Sequence, residues 1–270
     1  MKPRTPLFLA FVALLGLPAA LTAGQEAEKV KEVPVEKRRK ACSSIEEAVT
    51  EDAETKVAIR ALRSASQVVH SDVVKAIDEH GMRHADLEIR AAAIRALGRM
   101  DDPTAIEALH AATKRDEKLL EKEHRLHAEL LKEIGRHGDP ASIPYLVEDT
   151  FQSADKEVVT ARIMALGRIR SKKSVDELIG FMRSVRRSRV NDHMGEFRVA
   201  LTALTGTDCG TTPEPWINWY GDAKRGLEIT PEMKPLTGAL KRYWYTYWGE
   251  AEEKPEKDGR RRGRDRRRKN

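Results

Sequence analysis

IRAAAIRALGRMDDPTAIEAL, residues 89–109, carries the pattern on which the fold turns. Take Leu97 as an anchor. Ile94 lies three residues before it and Gly98 one after, and Ile106 and Leu109 follow at nine and twelve. The same pattern recurs around Ile134, with Leu131, Gly135, Ile143 and Leu146, and around Leu166, with Ile163, Gly167, Val175 and Leu178. An arginine follows the glycine each time: Arg99, Arg136 and Arg168. Two weaker copies flank these three. One centres on Leu62, with Ile59, Ala61 and Arg63 in place of the glycine. The other centres on Leu204, with Leu201, Ala203, Thr205, Trp216 and Ile217. Successive anchors stand 35, 37, 32 and 38 residues apart. Such a period marks stacked supersecondary units, and end copies of a stack are expected to deviate.

Each unit reads as two helices joined by a turn. The anchor and the residue three before it share one helical face. The glycine allows either a turn or a close approach of two helices. Asp102-Pro103 and Asp139-Pro140 predict an N-cap followed by proline at the first helical position. Ser174 and Glu177 offer a capping box for the third copy. A single hairpin cannot hide its apolar face, so neighbours must stack.

The stretch 89–109 resembles the HEAT-repeat family, including its short bacterial HEAT-like repeats, and residues 54–225 carry that pattern in whole or part. The resemblance implies an all-α fold, an α-solenoid of about five helical hairpins, whose surfaces bind other macromolecules, usually proteins. It is uninformative about chemistry.

The chain has 270 residues, 34% of them charged, with a net charge of +6, two cysteines and 5% aromatics. Two cysteines exclude a disulfide scaffold and a cysteine zinc finger. The 40% apolar content excludes disorder throughout. The basic charge belongs to the end of the chain. GRRRGRDRRRKN, 259–270, holds eight positive charges and one negative, and residues 25–258 are net acidic. The body therefore offers no basic nucleic-acid groove.

Lys2 and Arg4, the apolar run Leu7–Leu15, and Leu21 and Ala23 at −3 and −1 predict a secretory signal peptide over 1–24. The run is broken by Gly16 and Pro18, short of the ~20 residues that a membrane span needs. The expected location is periplasmic, extracellular or at the cell surface. Residues 25–43 read as a disordered linker, 44–226 as the solenoid, 227–249 as an aromatic C-terminal capping helix and 250–270 as a disordered Arg-rich tail.

Candidate contacts for a partner fall in three groups. Arg183, Arg186, Arg187 and Arg189 form an Arg-rich loop suited to an acidic partner. Tyr243, Trp244, Tyr247 and Trp248 recur at helical spacing, either as a lid over the end of the stack or as an interface patch. Arg260, Arg261 and Arg262 begin the tail, whose targets outside the cytoplasm are an anionic envelope polymer, lipid headgroups or an acidic protein. Nucleic acid suits such a tail only if the chain stays inside the cell or meets it outside.

Catalytic signals are weak. His80 with His84, and His124 with His127, have the spacing of two ligands on one helical face, but no carboxylate completes a site. No His-Glu dipeptide occurs, which departs from the iron-binding deoxyhypusine hydroxylases among HEAT-like enzymes. Only generic repeat similarity points to the phycobilin lyases. No Walker loop, G-x-S-x-G or G-x-G-x-x-G is present. Basic neighbours in KRRKACSS are expected to lower the Cys42 thiol, and a Cys42–Cys209 bridge would have to span the stack. The reading is a non-enzymatic protein-binding scaffold without metal or cofactor. The alternatives are a polyanion or nucleic-acid binder acting through the tail, and a HEAT-like lyase.

Overall fold

In a computed structural model, residues 33–148 and 155–250 are described. The expected signal peptide, the linker before residue 33 and the tail beyond residue 250 lie outside the described residues, Arg260, Arg261 and Arg262 included.

Five first helices carry the five anchors: α2 (Thr55–Ala65), α4 (Leu87–Leu97), α7 (His124–His137), α9 (Lys156–Arg168) and α12 (Met194–Thr205). Leu62, Leu97, Ile134, Leu166 and Leu204 are all fully buried. Each first helix is followed by a second: α3 (Ser71–Ala76), α5 (Pro103–Arg115), α8 (Ile143–Val147), α10 (Lys172–Ser184) and α13 (Pro213–Ala223). Short helices α6 (Glu117–Leu120) and α11 (Arg187–Asp192) sit between hairpins. The first helices pack side by side in order, and the second helices form the other layer. Among the described residues there is no strand. The α-solenoid of five hairpins is the observed architecture.

The local signals act as read, with one shift. Asp102 accepts from the Thr104 N–H and Asp139 from the Ala141 N–H, each just ahead of its proline. In the third copy the cap is Ser171, which accepts from Lys173; Ser174 is buried and donates to the Ile169 carbonyl instead. The helix begins one turn earlier than expected. α3 runs on through a wider π turn over Ile77–Met82, which includes Gly81.

The repeated glycine serves close approach rather than turning. A Cβ on Gly135 would lie 2.6 Å from the Ala165 Cα, and one on Gly167 would lie 2.7 Å from the Ala200 Cα. Neighbouring first helices touch there backbone to backbone. The turns after α7 and α12 use other glycines, Gly138 and Gly206, in the left-handed region.

Two expectations change at the ends. The linker reading fails over 35–43, because α1 (Val35–Ala48) occupies it. Ala41, Ile45 and Val49 form a narrow stripe, all buried, against α2 and α3. That stripe is enough to cover the exposed flank of the first hairpin, and heavy surrounding charge hides it in the sequence. The Arg-rich loop is also partly ordered as helix, with Arg187 and Arg189 on α11.

The aromatic C-terminal helix is present as α14 (Gly238–Trp248), preceded by an irregular segment from Gly226 to Thr237. It covers the side of the stack rather than closing off α13. Trp244, Trp248 and Leu236 form a second apolar cluster with Met164 of α9 and Val199 and Ala203 of α12, separate from the main core. These three residues project from the first helices away from that core. An amphipathic helix that lands on them buries apolar area on both partners.

Candidate functional site

The side of the first-helix row that α14 covers combines an apolar cluster, ring–cation contacts and an ion pair. Its contacts follow the repeat. Val199 lies five residues before its anchor. Lys132 and Met164 lie two before theirs, and Arg136 and Arg168 two after. Repeat-equivalent side chains point the same way in a stack, so one helix laid across the row meets them in succession.

α14 is held from its middle to its end. Midway along it Tyr243, 39% exposed, donates its hydroxyl to Glu196 Oε1 at 2.9 Å. Beside it, on the face turned to the row, Trp244 fills the apolar cluster. At its end Trp248 lies beside two guanidinium groups, Arg168 at 4.7 Å and Arg136 at 5.6 Å from its ring, and Lys132 stands 5.1 Å over Tyr247. Burial, with help from Glu196 and Glu129, pushes both phenols up, so Tyr243 and Tyr247 stay protonated as hydrogen-bond donors.

The chain then turns at Gly249, and Glu250 drops its carboxylate between the arginines. Its Oε1 lies 2.8 Å from Arg168 Nη1 and 3.7 Å from Arg136 Nη1. Arg136 also donates to the Trp248 carbonyl at 3.2 Å and to Glu133 Oε2 at 2.7 Å. Glu133 is 2% exposed and fills the space over Gly98. Burial pushes its carboxyl up, and Arg136 opposes that shift. Nearby, Arg170 donates to the carbonyls of Ala203, Leu204 and Thr230, satisfying the last turn of α12 and fixing the segment before α14. A cleft of about 290 Å³ remains open between Arg136, Arg168, Met233 and Glu250.

The sequence-predicted residues divide. Tyr243, Trp244, Tyr247 and Trp248 come together, but Trp244 and Trp248 are buried and face the row, Tyr247 is half-buried, and Tyr243 alone of the four is exposed. Arg183, Arg186, Arg187 and Arg189 lie on the other layer and do not join them. Arg183 stands 5.8 Å from the Tyr220 ring and Arg187 pairs with Glu214, so both serve the last hairpin in part. Arg186 and Arg189 are exposed. Sequence reasoning assigned no site role to Arg136, Arg168 and Glu250. The arginine after each repeat glycine was the available signal.

The histidines do local work. His84 bonds the Thr50 carbonyl and accepts from the Asp86 N–H, and His124 faces Asp155 at 3.1 Å. Burial, then Arg162, pushes His127 down to about 4. Among the described residues no group of three His, Cys, Asp or Glu side chains is placed to hold a metal ion. Cys42 and Cys209 are free thiols. Burial and Asp72 push Cys42 up, against the lowering expected from its basic neighbours, because it sits in α1 rather than in a solvated linker. No helix of the described residues is long and apolar enough to cross a membrane.

Residues 43–128 match the family profile of HEAT repeats. A search of curated proteins found no match to the chain.

Proposed function

We propose, for a chain that carries HEAT repeats over residues 43–128, a non-enzymatic docking scaffold for a protein partner on the first-helix row. HEAT repeats commonly serve as protein-interaction scaffolds, and stacked hairpins present long continuous surfaces. The observation that carries the reading is partial cover. α14 occupies the row over α9 and α12 and reaches α7 at its end. Among the described residues, the equivalent positions on α2 and α4 carry no such helix. They present Val57, 46% exposed, with Arg60 and Arg99 exposed and Arg95 paired to Glu129 at 3.4 Å. The partner this strip fits is an amphipathic segment with apolar and acidic side chains, the same chemistry that α14 and Glu250 bring further along. We further infer that the protein acts outside the cytoplasm, a reading supported by the signal-like leader Lys2–Ala23.

The test is cross-linking capture in the native host, read by mass spectrometry at low and high salt. The full chain, a version ending at Asp258 and an Arg60→Glu/Arg99→Glu variant run side by side. The expected result is one partner held by the first two at high salt and lost by the charge-reversed strip. Capture that needs 259–270 and disappears with salt would overturn the scaffold and leave the tail as the functional element.

A further inference from the structure

We propose that the cleft between Arg136 and Arg168 is a carboxylate-binding subsite of this face, filled in the free chain by its own Glu250 and opened when an acidic segment of the partner takes that place. This rests on the scaffold reading and names the chemistry the partner brings.

Four observations carry it. First, charge is unbalanced in the cleft. Arg136 already has Glu133 as its close partner, and Arg170 is occupied by three carbonyls. Among the described residues Arg168 has no carboxylate but Glu250. Second, donors exceed acceptors. The Trp248 indole N–H, beside both guanidiniums, is buried without a hydrogen-bond partner. Third, the pair is accessible. The Arg168 and Glu250 side chains are 26% and 31% exposed, and the cleft is open beside them. An ion pair of that exposure is worth only about two- to fivefold in a binding constant, so a competing carboxylate can displace it. Fourth, Glu250 is not what holds α14. It lies beyond the left-handed Gly249, outside the helix. Trp244, Trp248 and the Tyr243–Glu196 bond dock the helix without it. Removing this carboxylate frees the arginines and leaves the wall of the cleft in place.

Arginines on two successive first helices meet one carboxylate because the residue after the repeat glycine recurs at the same height of the stack. Guanidinium groups suit planar carboxylates through paired N–H donors. An acidic peptide that follows the row from Arg60 and Arg99 reaches this subsite next, since Arg99 and Arg136 are equivalent positions on neighbouring repeats.

The experiment uses the full chain and a fluorescein-labelled hexaglutamate peptide, read by fluorescence anisotropy at fixed salt. The proteins are wild type, Glu250→Gln, and Glu250→Gln combined with Arg168→Gln. The basic tail is the same in all three, so differences belong to the cleft. Glu250→Gln is expected to tighten binding about fivefold, the loss of the internal competitor. Adding Arg168→Gln is expected to return the affinity to wild type or below. Should that protein fold poorly, Arg168→Met keeps the stem over Trp248 and makes the same comparison. Equal affinity of wild type and Glu250→Gln overturns the subsite, as does a double variant as tight as the single one. A host partner captured through Arg60 and Arg99 with no effect of Glu250→Gln removes the subsite and leaves the scaffold. A Glu250→Gln effect that needs Arg168, with no host partner captured, keeps the subsite and removes the scaffold.

Discussion

Gly167→Ala tests the packing argument most directly. Gly167 is the repeat glycine at the end of α9, where that helix crosses α12. The added Cβ would lie 2.5 Å from the Ala200 Cβ and 2.7 Å from its Cα. Carbon atoms in contact stand roughly 3.5–4.0 Å apart, so the two helices must part by about 1 Å. The obstacle is backbone, which cannot rotate away. Overpacking of this kind costs about 1–3 kcal/mol, and the upper half of that range applies here. Alanine returns up to about 1 kcal/mol of helix propensity. The expected net loss is about 1–2 kcal/mol, or a fall in Tm of about 2–8 °C for a domain of this size. Gly180→Ala is the matched control. Gly180 also lies inside a helix, α10, and an added Cβ meets nothing within 4 Å. It gains propensity alone and is expected to raise Tm by about 1–3 °C. Thermal melts followed by circular dichroism at 222 nm read both. A Gly167→Ala protein that melts at or above wild type would refute the close-approach reading.

Trp244→Ala opens a cavity in a cluster that is separate from the main core. A large aromatic deletion costs about 3–5 kcal/mol, enough to release α14 while the hairpins stay folded. Hydrogen exchange should rise across 238–248 and not across α7, and uniform loss of protection would count against two clusters. Burial lowers His110, His127, His137 and His193 below their usual values. The folded state then binds fewer protons than the unfolded chain, so stability is complete above pH ~6.5 and drains away as pH falls toward about 4, the value for His127. Unfolding free energies from urea titrations at pH 7.5 and 5 should differ by about 1–2 kcal/mol from His127 alone, and His127→Gln should narrow the difference; equal free energies at the two pH values would remove the burial argument. Finally, protein recovered from outside the cytoplasm of its host should begin at Gly24 or Gln25 when its N-terminus is sequenced, and an intact Met1 would withdraw the exported reading.

The hairpins were legible in the chain because their causes are local. An anchor, its partner three residues earlier, a cap and a proline all act within about 20 residues. Each of the five anchors ends fully buried. The glycine was legible as a special position, though its choice between turning and close approach rests on the neighbouring helix, Ala165 or Ala200. α1 escaped notice because its three-residue stripe of Ala41, Ile45 and Val49 matters only once α2 and α3 supply the other side. The spacing of Tyr243, Trp244, Tyr247 and Trp248 revealed an aromatic face but not its destination. That depended on Met164, Val199 and Ala203, which repeat periodicity does not flag because they point away from the hairpin core. The meeting of Arg136, Arg168 and Glu250 brings together residues 114 and 82 positions apart. Composition and spacing carry no information at that range. It follows from the stacking of repeats, which aligns the two arginines, and from the path of α14, which delivers the carboxylate to them.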